Sequence, residues 1–177
     1  MKNGNMLQNT ENINNPNGGQ KSSMIFLHGN IPSSKNSKIA TSKGVFHSKT
    51  VARFLREMGI QHYSASRKEV TYYKTKPCLF PVEELKQLIC LARKEYYEEK
   101  DSVRGFQEPL KIGLHFVRQT KARFDFHNIC QIVFDLLVAF DIIEDDNMDC
   151  ILPFPMEIDG KWYSVDKNNP GCWITIL

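Results

Sequence analysis

A single domain that mixes helices with strands is what the sequence predicts, and three observations predict it. Apolar residues recur at helical spacing in three segments, 49–60, 82–100 and 126–140. They alternate with a period of two in LKIGLHFVR, residues 110–118, and short apolar runs bounded by Pro, Gly, Ser and Asn open and close the rest of the chain. At 177 residues, with 41% hydrophobic content and 11% aromatics, the chain can bury one core.

The elements follow in order. Residues 1–23 are dominated by Asn, Gly, Gln and Ser and cannot bury enough apolar surface to offset the entropy of ordering, so they are expected to form a disordered tail, with the folded domain over 24–177. MIFLHG (24–29) reads as a strand, NIPSSKNSKIATSKG (30–44) as a polar loop and GVFHS (44–48) as a second strand. Ser48 is a suitable N-cap for a helix burying Val51, Phe54, Leu55 and Met58 at i, i+3, i+4 and i+7. Pro81 suits the first turn of a second helix, with Leu85, Leu88, Ile89 and Ala92 as its buried stripe. In LKIGLHFVR, Ile112, Leu114 and Phe116 alternate with Lys111, Gly113 and His115, which predicts one buried face and delivers Arg118 to the strand end. CILPFPMEI and CWITIL are expected to close a sheet around the polar turn DGKWYSVDKNNPG, with Pro153 and Pro155 confining the first to an edge or a bulge. There is no internal repeat.

Composition narrows the classes further. No N-terminal apolar run suits a signal peptide, and no apolar stretch reaches the roughly 18 residues of a spanning helix, so a soluble protein with no membrane partner is expected. Five scattered cysteines without a C-x-x-C pair read as reduced packing residues, which points to a reducing cytoplasm. The net charge of +3 is too mild to argue nucleic-acid binding by itself; only its local arrangement can.

That arrangement concentrates in RFDFHNICQIVFDLLVAFDIIEDDNMD, residues 123–149. The predicted third helix is apolar nearly all round except for Asn128, Gln131 and Asp135, which fall within about 60° of arc and form one polar stripe. Asp125 stands at its start and Glu144, Asp145 and Asp146 follow its end. Individually, Asp125 can be a helix N-cap, the acidic run a solvated turn, and Asp135 a core hydrogen-bond acceptor. Just upstream, however, lie Arg118, Lys121 and Arg123. Cations beside carboxylates suit a polyanion whose phosphates pair with the cations while a divalent ion on the acids reaches the scissile phosphate. A calcium loop is excluded: with Asp145, Asn147 and Asp149 at positions one, three and five, Cys150 stands where the turn glycine belongs and Met156 where the bidentate glutamate belongs.

The segment resembles the RusA family of Holliday-junction resolvases of bacteria and their phages. That family carries an arginine-rich strand end, Asp-x-Asp-Asn opening a helix, a lysine three and an aspartate seven residues after the Asn, and an acidic pair about twenty residues beyond the first Asp. RFDFHN supplies Asp125 and Asn128, Asp135 matches the helix aspartate, and EDDN supplies Asp145 and Asp146. IPSSKNS and GVFHSK resemble the family's Pro-Pro-Ser-x-Asn loop and the start of its first helix, and NPGCWITIL resembles its closing strand. The resemblance covers residues 24–177, apart from an expanded middle around 60–105.

It implies an α+β domain, a mixed sheet packed against helices, that forms a two-fold symmetric homodimer and nicks opposed strands of four-way or branched DNA. It implies catalytic roles for Asp125, Asp145 and Asp146, a magnesium ion on Asp125, His127 and Asp146, DNA contacts from Lys35, Asn36, Arg118, Lys121 and Arg123, and supporting roles for Asn128, Gln131 and Asp135. Two positions depart from the pattern: His127 replaces the second acid and Gln131 the lysine needed for cleavage. Imidazole suits manganese better than magnesium. Two expectations therefore stand, an endonuclease with altered metal preference and a relative that binds junctions without cutting them.

Overall fold

The computed structural model describes residues 23–33, 38–41, 44–99 and 109–177. Residues 1–22 of the expected tail lie outside the described residues, as do Lys35 and Asn36. Nine strands and three helices are described, and the α+β expectation holds. Their order is β1 (Ile25–His28), β2 (Lys38–Thr41), β3 (Gly44–His47), α1 (Lys49–Glu57), β4 (Ile60–Ser64), β5 (Glu69–Tyr72), α2 (Val82–Glu99), β6 (Leu110–Arg118), α3 (Phe126–Ala139), β7 (Ile151–Pro155), β8 (Tyr163–Val165) and β9 (Gly171–Ile176).

A five-stranded mixed sheet organises the molecule in the order β1-β9-β6-β7, with β8 beside β6 on the same edge as β7. β9 is antiparallel to both neighbours, with Leu27 opposite Cys172 and Leu114 opposite Ile174. β7 runs parallel to β6 from Leu110 to Leu114, and β8 takes over from Phe116 to Arg118. A parallel pair needs a crossover, and α3 supplies it between β6 and β7. Two hairpins, β2–β3 and β4–β5, stand apart from this sheet.

The helices obey the sequence pattern. The Ser48 hydroxyl accepts a hydrogen bond from the Val51 N–H at 3.4 Å, and Val51, Phe54, Leu55 and Met58 are buried. α1 ends where Gly59 takes a left-handed backbone, φ +76°, beneath the Pro77 carbonyl. α3 buries nine residues between Ile129 and Ala139, and Asp125 is its N-cap. Of the expected α2 stripe, Leu85 and Ile89 are buried, while Leu88 and Ala92 are half-buried.

Four expectations are corrected. The 30–44 loop contains strand β2, and the turn after β7 contains β8; both are short and polar, and pairing with a neighbour holds them extended rather than any pattern of their own. The middle that the resemblance leaves unmatched is built from the β4–β5 hairpin and α2, the latter as expected. β6 is buried on both faces, Gly113 and His115 included, because it is an interior strand. The cysteines are all free, but only Cys130 and Cys172 are fully buried, whereas Cys78 and Cys90 are exposed. Burial pushes the Cys130 thiol up to about 12, which makes it an inert packing group. No helix among the described residues is long and apolar enough to cross a membrane.

The end of α1 generates a stability prediction. Gly59→Ala would force a left-handed backbone on alanine and drive its Cβ into the Pro77 carbonyl oxygen, a backbone atom that cannot swing aside. Denaturant unfolding should show a loss of about 2 kcal/mol or more; a loss under about 0.5 kcal/mol would mean that the 73–79 segment yields freely.

Candidate functional site

One end of the sheet gathers most of the predicted residues. Arg118 ends β6, and the exposed loop that follows carries Lys121 and Arg123 before Asp125 opens α3. Arg118 itself turns inward. Its Nη1 donates to the Ile31 carbonyl at 2.9 Å and its guanidinium carbon lies 5.0 Å from the centre of the Phe124 ring. Burial lowers its pKa from the usual guanidinium range, and Nε has no hydrogen-bond partner among the described residues. Nearby, Asn30 donates to Gln119 at 3.2 Å, and the Gly29 N–H donates to the Pro170 carbonyl. The loop after β1, the loop after β6 and the start of β9 are thereby tied together, while Lys121 and Arg123 remain turned to solvent.

Asp125 acts as an N-cap: its Oδ1 accepts from the N–H groups of His127 at 3.0 Å and Asn128 at 3.5 Å. His127 is more exposed than Asp125, its side chain 87% accessible against 59%, with Nδ1 at 3.9 Å from Asp125 Oδ1. These two are brought together.

Of the polar stripe of α3, Asp135 faces strand β4 of the β4–β5 hairpin. Asp135 is half-buried and its Oδ2 accepts from the Tyr63 hydroxyl at 3.0 Å. His47 stacks on the Tyr63 ring at 5.1 Å with an interplanar angle of 16°. Asn128 is half-buried and Gln131 exposed. Burial first, then the Asp135 charge and its hydrogen bond, raise the Tyr63 phenol far above its ordinary 10.0.

The acidic run lies at the other end of α3. After Phe140, Asp141 adopts a left-handed φ of 53°, and the N–H of Ile142 donates back to the Leu137 carbonyl at 2.9 Å. Lys68, in the β4–β5 turn, pairs with Asp141 at 2.8 Å. Asp145 accepts from the Asp146 N–H and from Asn147 Nδ2, each at 2.8 Å, and the Asp146 bond is the main cause of its lowered pKa. Partial burial, then Asp145 beside it, raises the Asp146 pKa. The Asn147 carbonyl in turn accepts from the Cys150 N–H, and the Cys150 carbonyl accepts from Leu110 at the start of β6.

Asp125 therefore caps the start of α3 and Asp146 follows its end, with a helix of 14 residues, about 20 Å long, between them. Among the described residues no group of three or more His, Cys, Asp or Glu side chains could hold a metal ion. The expected trio Asp125, His127 and Asp146 is not assembled within one chain, because a rigid helix stands between its members. Sequence reasoning passed over Phe124, six residues from the Arg118 it lies beneath, and Tyr63, His47, Lys68 and the Ile31 carbonyl, which are brought in by tertiary contacts across separations that no local spacing encodes.

No family model matches the chain, and neither a curated protein nor a solved structure matches it.

The Tyr63–Asp135 bond generates a prediction with a defined sign. Tyr63→Phe leaves a half-buried carboxylate short of a donor, so unfolding should cost about 1–2 kcal/mol less than in the wild type at neutral pH. A phenol whose pKa is raised by folding contributes stability that is present below the unfolded value, 10.0, and is lost as pH rises above it. The wild type should thus lose stability above about pH 10 more steeply than Tyr63→Phe; parallel pH profiles would show that this bond does not form.

Proposed function

We propose that the chain is a metal-dependent, structure-selective endodeoxyribonuclease that resolves four-way or branched DNA by paired nicks, working as a homodimer in the cytoplasm. The observation that carries the reading is the Arg118–Ile31 bond. Ile31, which opens IPSSKNS, and Arg118, which opens RQTKARFDFHN, belong to segments that separately resemble parts of the RusA signature; they are 87 residues apart in sequence and bonded to each other at one end of the sheet. An exposed cationic loop beside an exposed imidazole and a carboxylate is an arrangement suited to a phosphodiester backbone. In this reading Lys121 and Arg123 pair with phosphates, and Arg118 holds the loops from which the contacts are made.

The metal implied by the resemblance does not fit a single described chain, since Asp125 and Asp146 flank opposite ends of α3, itself about 20 Å long, and no metal-holding group forms among the described residues. A second copy that places its Asp146 beside Asp125 of the first would complete the trio, so the homodimer is part of the proposal. The missing trio also favours a second reading, junction binding without cleavage. His127 and Gln131 point the same way, each removing a charge that the family uses.

Incubation with a labelled four-way junction and magnesium or manganese separates the readings. Symmetric paired nicks support the nuclease, retarded but intact junction supports the binder, and neither result would sink both. Asp125→Asn and Asp146→Asn should each abolish nicking. Mixed and allowed to exchange subunits, the two inactive variants should recover about a quarter of the sites, because each mixed dimer keeps one intact composite site; no recovery would confine both acids to one chain's site.

The cationic loop has its own signature. Lys121→Ala and Arg123→Ala should each weaken junction and duplex binding alike and lower the salt slope of log K by about one unit. Arg118→Ala should instead lower the unfolding midpoint, since its guanidinium is spent on Ile31 and Phe124. A full unit of salt slope lost on Arg118→Ala, with the midpoint unchanged, would return that residue to the DNA surface.

A further inference from the structure

The rim formed by β8 leaves two large aromatic side chains in solvent. Trp162 is 60% exposed and Tyr163 39%, unusual for rings of this size on a sheet edge. Strand alternation explains the second. Ser164 turns inward to meet His115 Nε2 at 2.8 Å, so Tyr163 and Val165 point to the other side of the strand, while Trp162 sits in the bend before β8 and is not bound by its alternation. There the Tyr163 ring meets Phe124 edge-on, with centroids 5.3 Å apart and an interplanar angle of 84°. Phe124 is the residue beneath the Arg118 guanidinium and stands between Arg123 and the helix cap Asp125. Tyr163 is thus held rigidly at the base of the cationic loop, with part of its ring uncovered.

We propose that Trp162 and Tyr163 form a stacking rim for unpaired nucleobases at the branch point of a DNA substrate, whose phosphates lie along Lys121 and Arg123. The inference rests on the DNA reading and adds to it a preference for unstacked bases. Every base has a π face, so aromatic rings beside a cationic track are a general means of holding single strands without reading their sequence. Tyr163 loses little side-chain entropy on stacking because Phe124 already fixes it. Lys161 and Lys167 flank the pair in sequence and add positive charge, while Asp159 and Glu157 precede it. Asp166 is engaged in its own turn, its Oδ1 accepting from Asn168 at 2.8 Å and Asn169 at 3.1 Å. The competing occupant of an exposed aromatic edge is a second copy of this chain, which the test must separate.

The chain has two tryptophans, Trp162 and Trp173. In Trp173→Phe, emission comes from Trp162 alone, and a base stacked on the indole should quench it. The full chain carrying this substitution is titrated with three probes: a four-way junction with unpaired bases at its centre, a poly-dT single strand, and a perfect duplex of equal charge. Quenching by the first two and not by the duplex is expected. Trp162→Ala and Tyr163→Ala should each weaken binding to the first two probes by about tenfold and leave duplex binding unchanged, with Trp162→Phe retaining most of the affinity. Junction binding that neither alanine variant alters, with no quenching, would overturn the rim while leaving the DNA reading intact. Failure of the unsubstituted chain to bind any probe would overturn both. A dimer in sedimentation that becomes a monomer in Trp162→Ala would assign the rim to contact between copies and overturn the stacking role.

Discussion

Strand β6 has covering on both faces and neighbours along both edges, and the position of every candidate residue depends on it. One edge pairs continuously with β9, whereas the other is shared between two strands that do not meet. β7 leaves β6 after Leu114 and β8 joins at Phe116, so His115 sits at the gap. Its imidazole spans the break, with Nδ1 at 3.0 Å from the Met156 carbonyl just past β7 and Nε2 at 2.8 Å from the Ser164 hydroxyl on β8. A buried imidazole lacking either partner would cost about 1–3 kcal/mol. On the same strand, Gly113 permits the close approach of Thr175 and Leu177, since a Cβ there would come within 3.0 Å of Thr175 Cγ2. The strand that carries Arg118 to the cationic loop is therefore fixed by polar groups at its middle and by packing near its start.

The parts legible in the sequence are those that local chemistry decides. Ser48 and Asp125 cap helices as side-chain acceptors must, and the apolar spacing that follows each cap is the face that ends up buried. The edge position of β7 follows from Pro153 and Pro155, which cannot donate to a second neighbour. What was not legible depends on partners remote in sequence. Three residues of β8 carry no pattern of their own, and β6 was assigned one buried face because a strand cannot announce how many neighbours it will have. Asp125 and Asp146 could be placed in register along the chain, but register says nothing of distance until a 14-residue helix is known to occupy most of the segment between them.

Arg118 illustrates the same limit for electrostatics. Its place among Lys121 and Arg123 suggests a run of three equivalent cations, yet the fold divides them. The one at the strand end is desolvated, bonded to a carbonyl and laid against a ring; the two on the loop stay in water. Arginine tolerates this role because its guanidinium keeps its charge when partly buried and its plane stacks on an aromatic face. A charge counted from sequence becomes a structural clamp, and the surface available to a polyanion is correspondingly smaller and lies on the loop.

The carboxylates at the two ends of α3 differ in what they say about function. Asp125 lies at the positive end of the helix dipole and caps two N–H groups, so stability alone accounts for it. Asp141, Glu144, Asp145 and Asp146 crowd the negative end, where the dipole and their mutual repulsion both oppose them. α3 has no basic residue in its last turn, and the compensation comes from Lys68 on the β4–β5 turn, which pairs with Asp141 and is itself favoured in its charged form by Glu144 and Asp145. Within that run Asp145 is stabilised as a carboxylate by the Asp146 N–H and by Asn147, whereas Asp146 is pushed toward protonation by burial and by Asp145. Helix stability would be better served by a neutral or basic residue at that position. Asp125 is therefore accounted for by the fold, whereas in the acidic run the cost of ionisation falls most on Asp146.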